Sequence, residues 1–149
     1  MRYLTAAERT GDWLLATAQR GPQGWSWPVK PGVSATVANG LGWGTAAPVM
    51  CFVEAFRTTG AERWLLAAQE GVRWMDAHLD AAATDWAGCG LLTGIGGWVV
   101  VLHELAAAAA DEHARSLARR ASGSSWPAWP RSLASGGSLT PAWPPPNGS

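Results

Sequence analysis

The chain has 149 residues, of which 48% are apolar and 15% charged, and its 11 basic residues balance its 11 acidic ones. This length suits one ordinary domain with a core, and the absence of net charge argues against nucleic acid as a partner. Two cysteines make no disulfide framework, the charged N-terminus lacks the apolar core of a signal peptide, and the longest apolar stretch is shorter than the roughly 20 residues that cross a bilayer, so a cytoplasmic protein without membrane contact is predicted.

The first predicted element is a helix over residues 4–19, which is amphipathic but weakened by Gly11. A loop is expected over residues 20–34, because three prolines and three glycines interrupt any helical pattern there.

Residues 45–57 are apolar nearly all round, which is typical of a buried helix. Pro48 suits the first helical turn, and Gly60 suits the position that ends the helix. Residues 61–80 then alternate apolar and charged positions at helical spacing. This pattern predicts a surface helix that exposes Glu62, Glu70 and Arg73.

The same unit returns fifty residues later, where a second glycine-rich turn precedes an apolar run and a second buried helix is predicted over residues 97–107. Repeats of this length indicate stacked supersecondary units, so the fold class is all-α. The first helix fits the outer helix of an earlier, incomplete unit, because Ala7 and Trp13 match Ala68 and Trp74. The matching turn and helix positions are Gly40 with Gly90, Gly44 with Gly94, Ala46 with Gly96, Ala47 with Gly97, and Glu54 with Glu104.

The helical pattern stops near residue 121, and residues 122–149 are rich in serine, glycine, proline and tryptophan. Such a composition cannot bury enough apolar surface to offset its ordering entropy. We therefore predict one domain over residues 1–121 and a disordered tail over residues 122–149.

Two segments, "GLGWGTAAPVMCFVEAFRTTGAERWLLAAQEGVRWM" and "GLLTGIGGWVVVLHELAAAAADEHARSLARRA", resemble repeats of the lanthionine synthetase C-like family. The resemblance implies part of an α/α toroid of six or seven helical hairpins, whose glycine-rich turns line the central cavity. It also implies a role in thioether-ring formation on ribosomal peptides, with a peptide as substrate and zinc as cofactor. The cavity-lining glycines implied here are Gly40, Gly44, Gly90, Gly94, Gly96 and Gly97.

The family's zinc ligands are two cysteines and a histidine in motifs of later repeats, and no residue of this chain matches those motifs. Cys89 lies between two glycines without an adjacent histidine, and it is a weak candidate for a metal ligand. Cys51 is interpreted as a small apolar core residue. The resemblance therefore implies a partial domain that is inactive alone and holds no cofactor.

Glu54 and Glu104 are carboxylates in helices of buried type, where a charge is rarely found without a partner. An ion pair with Arg57, Arg63 or Arg73 is the favoured interpretation. Paired carboxylates also catalyse glycoside hydrolysis, which leaves a carbohydrate-active toroid as an alternative. A further alternative is a non-catalytic helical-repeat module that binds a peptide or partner chain, or self-associates, through its uncovered repeat ends.

Overall fold

A computed structural model describes residues 2–28, 40–84 and 90–123, and these residues are mainly helical, as predicted. The predicted tail lies outside the described residues from position 124 onward, and so does Cys89. The described elements are helix α1 (Arg2–Thr17), strands β1 (Gln19–Gly21) and β2 (Gly24–Ser26), and helices α2 (Ala46–Thr59), α3 (Glu62–Ala77), α4 (Leu79–Thr84), α5 (Ile95–Ala109) and α6 (Glu112–Ser122).

Helices α2 and α3 form one hairpin, and α5 and α6 form a second one fifty residues later. The first helices of the two hairpins, α2 and α5, pack against each other. Their turns are equivalent, because Gly60 and Ala110 both adopt the left-handed conformation that ends a helix. Both predicted helices form, and Phe52 and Val101 are fully buried, but α2 is buried on one side only.

Helices α1, α3 and α6 are joined to one another by polar contacts and form a second layer beside α2 and α5. Asp12 on α1 pairs with Arg63 on α3 at 3.3 Å, and Gln69 on α3 donates to Asp111, which caps α6, at 2.8 Å. A further ion pair joins Asp76 on α3 to Arg120 on α6 at 2.6 Å. We call α2 and α5 the inner layer, and α1, α3 and α6 the outer layer.

Large aromatic side chains fill the space between the layers. Trp64, Trp98 and Phe52 are among the largest fully buried side chains of the described residues. The rings of Phe52 and Trp64 stack at a centroid distance of 5.9 Å. Gly11 is buried, and a β-carbon added there would lie only 2.7 Å from the Trp64 ring. The glycine that weakens α1 as a helix is therefore what allows α1 to pack closely.

The prediction of a loop over residues 20–34 is wrong for the first part of that range, since β1 and β2 form an antiparallel hairpin there. Three-residue strands are too short to produce a readable alternation in sequence. The hairpin is held by α3: Arg73 donates to the carbonyl of Pro22 at 3.2 Å, and Gly24 sits directly on the backbone of α3. Because Gly24 has φ +110°, its conformation is open mainly to glycine.

The surface helix predicted over residues 61–80 stops earlier, at Ala77, and α4 follows after His78. Glu62 and Arg73 are exposed, as predicted. Glu70 is half-buried, because its carboxylate turns back to accept from Arg73 at 2.8 Å. Glu70 is therefore less exposed than the sequence predicts.

Candidate functional site

A groove with a volume of about 580 Å³ lies between α1, the two ends of the β-hairpin and the glycine-rich turn before α2. Tryptophan dominates its walls, and none of its described lining residues is ionisable. We call it the aromatic groove. It is lined by Trp13, Leu14, Thr17, Gln19, Trp27, Pro28, Gly42, Trp43, Gly44, Ala47 and Pro48.

Trp27 forms the fixed wall of the aromatic groove. Its indole Nε1 donates to the carbonyl of Leu14 at 2.8 Å, and its backbone N–H donates to Thr45 Oγ1 at 3.3 Å. Its ring packs against Phe52 at a centroid distance of 5.5 Å. These contacts tie the end of the β-hairpin to α1 and to the start of α2, so that the wall keeps one orientation.

Trp13 and Trp43 form the open rim of the aromatic groove, with 62% and 55% of their surfaces exposed. Exposed tryptophans that face a concave apolar surface are typical of binding sites, since they offer a large contact area with little loss of side-chain entropy. The groove therefore offers an apolar aromatic surface that suits binding. Sequence reasoning missed this groove, although two of its tryptophans, Trp27 and Trp43, stand in the "GWSWP" and "GLGWG" segments.

The two glycine-rich turns lie side by side. The N–H groups of Leu41 and Gly42 donate to the carbonyls of Leu91 and Leu92 at 3.0 and 2.8 Å. A β-carbon on Gly97 would lie 2.5 Å from the carbonyl oxygen of Leu91 and 2.6 Å from the α-carbon of Gly40. Glycine is required at such positions because two backbones touch there.

The remaining glycines named from sequence are spread over the same two turns. Gly44 lines the aromatic groove and has φ +82°. Gly94 is buried directly before α5, Gly96 is half-buried in its first turn, and Gly90 is exposed. That these turns surround the cavity of a complete toroid stays a prediction.

Arg57 brings Glu54 and Glu104 together. Its guanidinium contacts Glu54 Oε1 at 2.7 Å and Glu104 Oε2 at 2.5 Å, and it also donates to the backbone carbonyl of Glu104 at 3.1 Å. The hydrogen bond from Arg57 to Glu104 is the largest of the effects that raise the Arg57 pKa above its ordinary value, and the hydrogen bond to Glu54 adds to it. The predicted ion pair is confirmed, with both carboxylates on one cation.

Neither carboxylate is buried, contrary to the sequence expectation. Glu54 exposes 57% of its side chain and Glu104 exposes 39%. The apolar run of α2 had suggested cover on every side, but one side of α2 faces a second groove that opens to solvent. Two exposed carboxylates that share one arginine form a connection between the two hairpins.

Cys51 corrects another sequence interpretation, because it is exposed and not part of the core. It lines the second groove, which has a volume of about 320 Å³ and lies between α1 and α2. Partial burial by its neighbours still raises the pKa of the Cys51 thiol. The described lining residues are Leu4, Ala7, Glu8, Thr10, Gly11, Cys51, Glu54, Ala55, Thr58 and Thr59.

Zinc, which the family resemblance implies, does not fit the donor atoms of the described residues. Within residues 2–28, 40–84 and 90–123, no three His, Cys, Asp or Glu side chains come close enough to hold a metal ion. A zinc site needs three or four such ligands. We therefore derive no step through a metal, and Cys89 stays a weak candidate outside the described residues.

None of the helices in the described ranges is both long and apolar enough to pass through a membrane.

Comparisons with protein-family models, with curated proteins and with solved structures found no match to this chain.

Proposed function

We propose that the chain carries consecutive helical hairpins of an α/α toroid of the lanthionine synthetase C-like type and takes part in peptide thioether formation by binding the peptide. One observation carries the proposal: two hairpins repeat in a fifty-residue register, with their glycine-rich turns hydrogen-bonded side by side. A toroid needs this arrangement, since the inner helices must begin close together at one end.

The aromatic groove supports peptide binding as the contribution of these residues. It opens beside the glycine-rich turn, and its described lining residues, which include three tryptophans and two prolines, carry no charge. Dehydrated residues and cysteine, the reacting groups of thioether formation, are small and weakly polar, and such groups fit an apolar aromatic surface. In this proposal ring closure depends on metal ligands other than the described residues.

The test uses the full chain and a fluorescent synthetic peptide with one dehydroalanine and one cysteine, in the presence of zinc. We expect saturable binding by anisotropy and persistence of a free peptide thiol, because the described residues supply no metal ligand set. Trp43→Ala should weaken binding about tenfold, since a stacked aromatic contact contributes about 0.5–1.5 kcal/mol beyond its buried area. Leu66→Ala, at an exposed residue of α3 that lines neither groove, is the control.

Lack of saturable binding would overturn the peptide-binding role. Loss of the peptide thiol without a change in mass would show ring closure, and would overturn the assignment of the chain as inactive alone.

A second candidate function is a non-catalytic helical-repeat binding module. The exposed rim formed by Trp13 and Trp43 favours it, since an exposed apolar surface can bind a partner without catalysing a reaction. The same assay separates the two candidates. A peptide in which serine replaces dehydroalanine should bind equally well to a general module and more weakly to a toroid specialised for dehydrated peptides.

A further inference from the structure

The aromatic groove and the end of α6 lie at the same end of the domain. Gly71 on α3 packs beside the groove wall, since a β-carbon there would lie 3.4 Å from the Trp27 ring. About one and a half turns further along α3, Asp76 pairs with Arg120 in the last turn of α6 at 2.6 Å. The chain that follows Gly123 therefore leaves α6 at the groove's end of the domain.

The sequence beyond Gly123 contains a segment whose chemistry matches the groove. Residues 140–146 read "TPAWPPP", and residues 132–149 contain no charged side chain. The described lining residues of the groove are also uncharged, and three tryptophans and two prolines are among them. Proline-rich segments dock into aromatic-lined grooves, where proline rings pack on indole faces. The segment and the groove each supply both kinds of ring.

The segment is far enough along the chain to reach the groove. Helices α1, α3 and α6 are neighbours in that order, so α6 lies two helix spacings from α1, or about 16–20 Å. Trp143 is 20 residues beyond Gly123, and an extended chain of that length spans up to roughly 65 Å. Trp126 is only three residues beyond Gly123, and its reach of about 10 Å is too short.

We propose that residues 140–146 occupy the aromatic groove of the same chain and compete there with the peptide substrate. The prolines of the segment stack on the exposed rings of Trp13 and Trp43, and Trp143 packs against the prolines of the groove wall. The competition rests on the proposed function of the groove, whereas the docking of the segment does not.

The predicted disorder of the tail is compatible with this contact. Proline fixes φ before binding, so an extended proline-rich segment loses little entropy when it docks. A tethered segment also meets its site at an effective concentration on the order of millimolar. A modest affinity is therefore enough to fill the groove, and a peptide that binds more tightly displaces the segment. The contact sets a threshold for peptide binding and is not a permanent block.

Disulfide trapping in the full chain tests where the segment lies. The substitutions Cys51→Ser and Cys89→Ser remove the native thiols. Gln19→Cys then places one thiol in the groove, and Ala142→Cys places the other in the segment. We expect a disulfide within one chain on oxidation at low protein concentration, followed by the loss of free thiol and located by mass spectrometry after proteolysis.

The rate of this disulfide is then compared between variants that share the same tether. Trp143→Ala should slow it at least fivefold, because the segment loses its largest side chain while the length of the chain stays the same. Trp43→Ala should slow it as well, since it removes part of the groove rim. Trp126→Ala is the matched control and should leave the rate unchanged, because Trp126 does not reach the groove.

Competition is measured by anisotropy with the fluorescent dehydroalanine-containing peptide and the native thiols in place. Trp143→Ala should lower the dissociation constant of the peptide about three- to tenfold, because the apparent affinity is reduced by the fraction of chains whose groove is filled. Trp126→Ala should bind the peptide as the unmodified chain does.

The outcomes separate this inference from the proposed function. Equal disulfide rates with and without Trp143→Ala would overturn the docking, and so would disulfides that join two chains, which would assign the groove to the tail of a second copy. An unchanged peptide dissociation constant in Trp143→Ala would overturn the competition. A disulfide that depends on Trp143, with no peptide binding by any variant, would support the docking and count against the proposed function.

Discussion

The hairpins α2–α3 and α5–α6 share a backbone plan and differ in how well each equivalent position is covered. On α5, Val101 is fully buried, whereas its counterpart Cys51 on α2 is exposed. At the turn, Gly60 and Ala110 have φ values of 66° and 52°, yet only one of them is glycine. Equivalent sequence positions thus meet different surroundings, because α5 packs against α2, whereas among the described residues the matching side of α2 borders the second groove.

The largest effect is expected where the two hairpins touch through backbone. Gly97→Ala would place a β-carbon against the Leu91 carbonyl and the Gly40 α-carbon, neither of which can move away cheaply. We expect a loss of about 3 kcal/mol in the free energy of unfolding, measured by urea denaturation. A loss below about 1 kcal/mol would mean that the two turns are not in contact.

Truncation of the matched pair Val101 and Cys51 compares a covered position with an open one. Val101→Ala should cost about 2 kcal/mol in unfolding free energy, since a fully buried side chain leaves a cavity. Cys51→Ala should change stability by less than about 0.5 kcal/mol, because the side chain faces solvent. Equal costs for the two substitutions would contradict the open face of α2.

The starts of α3 and α6 differ in capping. Asp111 accepts from the N–H of Ala114 at 2.9 Å and from Gln69 on α3 at 2.8 Å, whereas Ala61 offers no side-chain cap to α3. Asp111→Ala should cost about 1–2 kcal/mol of unfolding free energy. Ala61→Asp should add about 0.5–1 kcal/mol, and thermal denaturation should separate the two variants by several degrees. A neutral Asp111→Ala would exclude the cap as a contributor.

The last comparison concerns the turns between the helices. Ala110→Gly should stabilise the protein by about 1 kcal/mol, because glycine adopts a positive φ without steric cost. Gly60→Ala should destabilise it by a similar amount, although the new β-carbon would meet no atom within 4 Å. The pair of variants isolates backbone strain from packing. The same sign for both substitutions in urea denaturation would refute the shared turn conformation.

The amino-acid sequence by itself determined the helical class, the fifty-residue register and the positions of the two apolar helices, because these follow from apolar periodicity and from glycine at turn positions. It also indicated the ion pair at Glu54 and Glu104, since a carboxylate in an apolar helix needs a cation. Each of these features is encoded within one short segment, or by the same segment pattern repeated fifty residues later.

Only the tertiary structure decided which side of each helix is covered. Cys51 and Val101 stand in equally apolar runs, and their difference in burial depends on a neighbour that lies far away in sequence. The short β-hairpin, the position of Gly11 against Trp64 and the aromatic groove have the same origin. Each arises where segments distant in the chain meet, and periodicity within one segment carries no information about its partner.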